Sequence, residues 1–221
     1  MSAPAPNDDW FERVWEHREE KLYPLWFGIE RTGIYPIPWE RLQEDKLSDP
    51  RWNTCGVFKF KPTSHRVSWL YVTSGLSNAW FDEAPSPDAP SGFGCEFVLE
   101  TTKDEQWPIQ RLHQLMVFQI GLYCGKYPGS PPLADLHRVP LGSPIDWKTS
   151  ALTHLMLASP HGCPGEIVLE SGRADLFAVV GITESEVAFA RKSGGDVLLA
   201  QLIERNAFPV TDPCRSPIVE S

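Results

Sequence analysis

Short segments with strand character fill the middle of the sequence, and segments with helical spacing lie before, between and after them. The strand-like segments are rich in β-branched and aromatic residues, which suit a pleated surface. The predicted strands cover residues 55–61, 67–73, 93–101, 152–158, 166–170 and 175–182, with a further short strand near 136–139. This order predicts one α+β domain with a mixed, largely antiparallel central sheet covered by helices.

Four segments are predicted as helices from their apolar spacing and their end signals. They cover about residues 8–22, 108–124, 184–192 and 196–205. Pro24 is expected to disrupt the chain's first helix, and Thr183 with Glu186 has the spacing of a capping box at the third. We therefore predict a domain over residues 8–208, with flexible tails at 1–7 and 209–221.

The charge of the chain limits the partners that we expect. The formal net charge is −9 over 221 residues. Nucleic-acid binding needs clustered Lys and Arg, so no nucleic-acid partner is expected. The same acidity is compatible with a basic protein partner, because complementary charge speeds and steers encounter. Solubility alone is an equally good reason for it.

The cysteines are scattered, at positions 55, 95, 124, 163 and 214. An odd number at wide spacing predicts reduced thiols rather than a disulfide framework or a zinc site. The first nine residues lack the apolar core of a signal peptide. No window approaches the ~18 apolar residues of a membrane span. We therefore expect a cytoplasmic protein with no membrane association.

The segment from residue 80 to residue 94 has the composition of a binding surface. Aromatic side chains give contact area at low entropic cost, prolines lower the cost of ordering the loop, and carboxylates suit Arg or Lys of a partner. The predicted partner-binding residues are Trp80, Phe81, Asp82, Glu83, Asp88, Ser91 and Phe93. In the alternative interpretation, Trp80 and Phe81 cover the core and the carboxylates are solvated.

Residues 91–94 read Ser-Gly-Phe-Gly and invite comparison with a phosphate-binding loop. They lack the Lys-Ser/Thr ending of such a loop and lead into a strand instead of a helix. We expect a bend that directs Phe93 into the core.

Catalytic and metal-binding constellations in the sequence are weak. No histidine pair has HExxH spacing, and His161 with Cys163 lacks further ligands, so no metal and no cofactor are expected. A hydrolase is the alternative function, using Cys163 with His161 or His154, or the carboxylates Glu96 and Glu100 of one strand. A solvated sheet face explains those two carboxylates equally well. A scaffold subunit of a larger assembly is a further alternative.

Four blocks of sequence resemble the N-terminal domain of the suppressor of fused family. In chain order they are residues 69–77 (WLYVTSGLS), residues 90–97 (PSGFGCEF), Trp107-Pro108 at a predicted helix start, and residues 174–184 (ADLFAVVGITE). The Gly-Leu-Ser and Ser-Gly-Phe-Gly blocks at this separation make the resemblance specific. It implies an α/β domain without enzymatic activity.

The resemblance also implies how a partner is held. In the animal protein the domain binds a transcription-factor peptide as an added strand, between itself and a second domain. A chain of 221 residues has no room for that second domain, so it resembles the bacterial single-domain members. Many of those look like immunity proteins that neutralise a toxin domain, often a nuclease. The family's clamp uses an aromatic and an acidic residue, and Trp80 and Asp88 fall at these places.

The resulting hypothesis is a non-catalytic protein-binding module that sequesters or inhibits a protein partner. The expected partner is a basic toxin domain or an extended peptide, and an immunity protein against a toxin is the narrower form of the hypothesis.

Overall fold

The computed structural model describes residues 7–47, 49–80, 86 and 88–219. The strands are β1 (Tyr35–Pro36), β2 (Gly56–Phe60), β3 (Trp69–Ser74), β4 (Pro90–Thr101), β5 (Arg138–Pro140), β6 (Leu152–Ala158), β7 (Glu166–Leu169), β8 (Gly172–Thr183) and β9 (Val210–Thr211). The α-helices are α1 (Asn7–Glu16), α2 (Tyr23–Phe27), α3 (Trp39–Glu44), α4 (Trp107–Tyr123), α5 (Glu184–Ser193) and α6 (Gly195–Glu204). A π-helical turn (His17–Leu22) joins α1 to α2, and a 3₁₀ helix (Pro50–Thr54) precedes β2.

All nine of these strands belong to one sheet. Its main path runs β1-β2-β3-β4-β8-β6-β5, with β7 paired to β8 and β9 paired to β4. The β4–β8 and β4–β9 pairs are parallel, and the other pairs are antiparallel. The prediction of a mixed, largely antiparallel sheet in an α+β domain is confirmed.

Helices cover both faces of the sheet, and the central strand β4 supplies side chains to each in alternation. Phe97 belongs to a cluster with Leu112 of α4, whereas Val98 belongs to a cluster with Tyr23 of the N-terminal helices. A third cluster packs α5 and α6, including Leu198, against β6 and β8. None of the described helices combines the length and the apolar character needed to cross a membrane.

The N-terminal helical segment continues beyond Pro24, and the prediction that this proline disrupts it is wrong. In the π-helical turn the Tyr23 N–H donates to the Arg18 carbonyl, five residues back. This wider turn resets the hydrogen-bond register, so that Pro24 falls in the first turn of α2. The missing N–H of Pro24 would have donated to the Glu19 carbonyl in this register, and that carbonyl accepts instead from the Arg31 guanidinium at 2.9 Å.

The segment after residue 208 differs from the flexible tail that we expected. Val210 and Thr211 form β9 beside β4, and the Thr211 side chain is buried. Arg215 forms two hydrogen bonds of 2.6 Å to the carboxylate of Glu186 on α5. These contacts join residues far apart in the sequence, so local composition gave no sign of them.

Glu186 makes the stability of this C-terminal segment pH-dependent. Burial alone would raise the pKa of Glu186, but the hydrogen bonds from Arg215, Ile218 and Thr183 lower it overall. A lowered pKa gives stability that is present above the unfolded value near 4.5 and is lost as the pH falls through the folded value. We expect Glu186→Gln to lower the free energy of unfolding by about 2 kcal/mol at pH 7.

The loss caused by Glu186→Gln should shrink when urea unfolding is repeated at pH 5, 4 and 3. A loss that stayed constant over this range would contradict the assignment.

Elsewhere the structure reproduces the sequence predictions closely. Strand β6 has the predicted bounds, Leu152–Ala158, and α5 begins with the predicted capping box of Thr183 and Glu186. The irregular stretch before β2 contains β1, α3 and the 3₁₀ helix, which the sequence analysis did not assign.

Candidate functional site

The blocks at residues 74–80 and 90–97 meet in space and form one unit at the N-terminal half of β4. The Phe93 N–H donates to the Leu76 carbonyl at 2.7 Å, and the Ser91 hydroxyl donates to the Ser77 carbonyl at 2.8 Å. The turn after β3 therefore continues the sheet beside β4 at a place where β3 itself has ended. This contact explains why the two sequence blocks occur together.

Two glycines make this close approach possible. Gly92 has a φ of +57°, and a Cβ there would lie 2.4 Å from both the Leu76 and the Asn78 carbonyl oxygens. Gly75 has a φ of +120°, and a Cβ there would lie 2.8 Å from the Cα of Cys55. Both positions combine positive φ with backbone that leaves no room for a side chain, so glycine is required at each.

A buried carboxylate, Glu96, holds the turn from beneath. It accepts hydrogen bonds from the backbone N–H groups of Gly75 (3.0 Å) and Ser77 (2.9 Å), and from the hydroxyls of Ser77 (2.8 Å) and Thr73 (2.5 Å). The side chain of Glu96 is fully buried. It therefore acts as an internal cap for a turn whose donors would otherwise be unpaired.

Arg18 provides the positive charge that balances this carboxylate. Its guanidinium is fully buried, 3.9 Å from Glu96, and donates to the hydroxyls of Ser77 (3.0 Å) and Ser74 (2.7 Å) and to Glu19 (3.2 Å). Burial alone would lower the pKa of Arg18, but the carboxylate of Glu96 raises it, so Arg18 remains cationic. This network fixes the π-helical turn onto the turn after β3.

The two carboxylates that we considered on β4 are therefore not on a solvated face. Glu96 belongs to the buried network, and Glu100 is buried and accepts a hydrogen bond from the Ser68 hydroxyl. Hydrogen bonding within the protein uses both groups, which favours a structural role for them over acid–base catalysis.

Trp80 and Phe93 lie in the core beneath this turn. The Trp80 indole N–H donates to the Gly75 carbonyl at 2.8 Å, and its ring packs against Phe11 and Phe93 with centroid distances of 5.4 Å and 6.4 Å. Both side chains are only 6% exposed. Phe93 follows the expected bend into the core, and Trp80 takes the core-covering position of the alternative interpretation. Trp80→Ala would consequently remove core packing as well as any contact surface.

The structure describes four of the predicted partner-binding residues: Trp80, Asp88, Ser91 and Phe93. Of these four, Asp88 is exposed. Ser91 is buried and hydrogen-bonded, whereas Phe81, Asp82 and Glu83 lie outside the described residues. The neighbouring Ala89 anchors the backbone at this point, because its N–H donates to Ser86 (3.1 Å) and its carbonyl accepts from the Arg173 N–H (2.9 Å). Asp88 is thus an exposed carboxylate on an anchored turn.

A groove of about 470 Å³ begins beside Asp88, and we call it the β4 groove. Residues 89–95 of β4 and its preceding turn form one wall, and the end of α4 with Leu133 forms the other. Tyr123 of α4 is 54% exposed there, so part of its ring is open to a partner. Gln119 donates to the Phe93 carbonyl at 3.0 Å and lines the same groove. A volume of this size suits a few side chains of a bound segment.

The rim of the β4 groove is acidic. Asp175 of β8 lines it, and partial burial raises the pKa of Asp175, with a further contribution from the nearby carboxylates of Glu166 and Asp135. Glu166 is itself ion-paired with Arg173 at 2.6 Å, whereas Asp88 is exposed and directly precedes Ala89, which lines the groove. A cationic group of a partner would be favoured at this rim.

Sequence reasoning located the β4 side of this groove but missed the α4 side. The missed wall consists of Gln119, Tyr123 and Leu133, which approach β4 only through tertiary packing. One signal was available, since the helical spacing of α4 ends on Tyr123, whose ring contacts Phe93 at a centroid distance of 5.0 Å.

A cavity elsewhere gathers the residues of the hydrolase alternative. His161, Cys163 and Glu100 line one space of about 590 Å³, whereas His154 lies elsewhere, 3.6 Å from Glu184. Burial, with a contribution from Glu100, raises the pKa of Cys163 to about 11, so its thiol is protonated at neutral pH. Within the described residues no hydrogen bond joins His161 to Cys163. Nowhere among the residues that the structure describes do three or more potential metal ligands (His, Cys, Asp or Glu) come together. This arrangement lacks an activated nucleophile.

Comparison with known proteins identifies the family. The family model described as Suppressor of fused protein (SUFU) matches residues 51–216. No curated protein matches the chain. Because the family model covers more than half of the sequence, this chain belongs to the suppressor of fused family, as the sequence blocks predicted.

Three solved structures share the fold. A SUFU homologue from Neisseria gonorrhoeae is 20% identical with a TM-score of 0.66, over 96% of this chain and 98% of that one. A chain of the Sufu–Fu complex is 17% identical with a TM-score of 0.65, over 95% and 92%. Drosophila Suppressor of Fused is 19% identical with a TM-score of 0.58, over 74% of this chain. This chain spans 42% of the Drosophila chain.

Proposed function

We propose that this protein is a non-catalytic protein-binding module that holds a segment of a partner in the β4 groove, with Asp88 at its rim. The observation that carries the proposal is the groove itself, in which an exposed aromatic side chain, Tyr123, faces the anchored β4 wall under an acidic rim. A solved complex of a family member with the protein Fu supports a binding role.

The physical chemistry of the groove favours an extended, basic segment. Its β4 wall is held by the buried network, so little conformational freedom is lost on binding. Tyr123 offers the kind of large, partly exposed anchor at which binding energy concentrates. Asp88 and Asp175 favour Lys or Arg in the bound segment, and the overall charge of −9 steers such a partner toward the protein.

The narrower form of the proposal is that binding sequesters or inhibits the partner, as an immunity protein does to a toxin domain. A basic nuclease-like toxin would match the charge of this protein, because such domains carry cationic surfaces for nucleic acid. We place this activity in the cytoplasm, since all five cysteines are free thiols. Phe81, Asp82 and Glu83 remain part of the proposed surface, with the buried Trp80 as its support.

We expect Asp88→Arg to weaken the partner complex by at least about tenfold without loss of stability, because the charge of an exposed rim residue is reversed. Glu204→Arg on α6 makes the same charge change at an exposed position and serves as the matched control. The tagged wild type and both variants would be used to capture partners from the native cell, and the retained protein would be quantified by mass spectrometry.

Under the proposal a stoichiometric partner stays with the wild type and with Glu204→Arg, and is lost from Asp88→Arg. Equal retention by all three proteins would place the interface elsewhere. A wild type that captures no partner and turns over a substrate would favour the hydrolase alternative.

A further inference from the structure

A second cavity, of about 480 Å³, lies at the β5 edge of the sheet, between β5, the segment before it and α5. We call it the β5 cavity. Two arginines and two histidines line it, and no Asp or Glu does. This concentration of basic groups contrasts with the net charge of −9. The β5 cavity is distinct from the β4 groove, although Ser130 and Leu133 line both.

Neither arginine of the β5 cavity is neutralised by a carboxylate in the described part of the chain. Arg138 is half-buried, and its guanidinium contacts the Leu136 carbonyl at 3.4 Å. Arg191 lies near the end of α5 and is exposed. The ion pairs among the described residues include neither of them. Two guanidinium groups are therefore available to an anion.

Further donors strengthen the preference for an anion. The Nδ1 atom of His137 accepts a hydrogen bond from the Ala134 N–H at 3.2 Å, so a neutral ring carries its proton on Nε2 and can donate from there. Ser130 adds a hydroxyl to the lining. Two carboxylates lie next to the cavity. Glu184 is 3.6 Å from the Nε2 of His154 and 70% exposed, and Asp135 directly precedes the lining residue Leu136 and is also exposed, so solvent screens both charges.

The remaining walls of the β5 cavity are apolar and determine the rest of the ligand. Phe118 of α4, Val139 of β5 and Val187 of α5 contribute to them together with Leu133. A cavity of this volume with few polar groups and hydrophobic walls is the usual form of a small-molecule site. A free inorganic ion would leave the apolar walls uncovered.

We propose that the β5 cavity binds a small organic anion in which one carboxylate or phosphate group is attached to an apolar body of about the size of an aromatic ring. Arg138 and Arg191 hold the anionic group, with His137 donating a further hydrogen bond. The body of the ligand packs between Phe118, Leu133 and Val187.

The test is a titration of the full-length protein with benzoate and phenyl phosphate, followed by amide NMR at low ionic strength and pH 7. Benzamide has the same shape without the charge and serves as the ligand control. We expect saturable binding of at least one anion, with a dissociation constant near 1 mM and about tenfold below that of benzamide. The preferred anion distinguishes a carboxylate ligand from a phosphate ligand.

Substitutions of the two arginines test whether the anion binds in the β5 cavity. Arg191→Gln is expected to raise the dissociation constant of the preferred anion about tenfold, and Arg138→Gln to do the same. Lys192→Gln removes the same charge from the neighbouring exposed position, outside the cavity, and should leave binding within about twofold. Equal affinity for benzamide and both anions, no saturable binding at millimolar concentration, or binding unaffected by Arg191→Gln would each overturn the proposal.

Discussion

Replacing Arg18 with methionine is expected to destabilise the fold by about 3 to 5 kcal/mol, because it leaves buried carboxylates without their counter-charge. The guanidinium is fully buried between Glu96 and Glu19 and donates to the hydroxyls of Ser74, at the end of β3, and Ser77, in the turn after it. Removing one partner of such a network exposes the full desolvation cost of the others. A loss of this size is a large part of the 5 to 15 kcal/mol typical of a domain.

Urea unfolding monitored by tryptophan fluorescence measures this loss, with Lys61→Met as the control. Lys61 forms a surface ion pair with Glu30 in which both side chains are more than half exposed, so its removal should change stability by less than about 1 kcal/mol. The double variant Arg18→Met with Glu96→Gln should recover part of the loss, since the uncompensated charge is then gone. Equal effects of Arg18→Met and Lys61→Met would contradict the account of the network.

Gly92→Ala is expected to cost about 3 kcal/mol, the second large effect on stability. An alanine at a φ of +57° is strained by about 1 to 2 kcal/mol, and its Cβ would also meet two backbone oxygens at 2.4 Å. Backbone that is paired across the two blocks must then shift, which adds a similar amount. The variant should also loosen the turn that holds Trp80, because Leu76 and Phe93 are joined by a backbone hydrogen bond.

Gly125→Ala separates these two contributions to the Gly92 effect. Gly125 has a φ of +72°, but a Cβ there would meet nothing within 4 Å, so only the conformational strain remains. We expect a loss of about 1 kcal/mol in its unfolding free energy. If Gly92→Ala were no more destabilising than Gly125→Ala, the close approach of residues 74–80 and 90–97 would not be rigid.

Much of the sheet could be predicted because its strands have clear signals in the local sequence. The strand at Leu152–Ala158 and the capped helix after Thr183 follow from residue pattern and capping chemistry alone. The paired blocks at 69–77 and 90–97 likewise identified the family, and the structure shows their physical content in the Gly92 contact and the Glu96 network.

Features that depend on contacts between residues distant in the sequence could not be predicted. Pro24 is accommodated by a π-helical turn that Arg18 anchors, and the segment after residue 208 is held by a strand partner and by Glu186. Glu96 and Glu100 have the spacing of residues on one solvated face of a strand, yet the sheet is covered on both faces and buries them. In each case tertiary packing overrode a correct local rule.

The candidate site likewise has one part that could be predicted from the sequence and one part that could not. Its β4 side and Asp88 were accessible from sequence, because loop composition and the family blocks point there. The α4 wall was not, because Tyr123 and Leu133 reach β4 only in the folded chain. Two aromatic residues of the predicted set, Trp80 and Phe93, support the surface from below, since both are buried.

Hydrogen–deuterium exchange of the free protein and of the captured partner complex tests the central claim most directly. We predict that partner binding slows exchange at the amides of residues 89–95 and 119–123, the two walls of the β4 groove. Protection confined to α5 and α6, with the groove amides exchanging as in the free protein, would contradict the account.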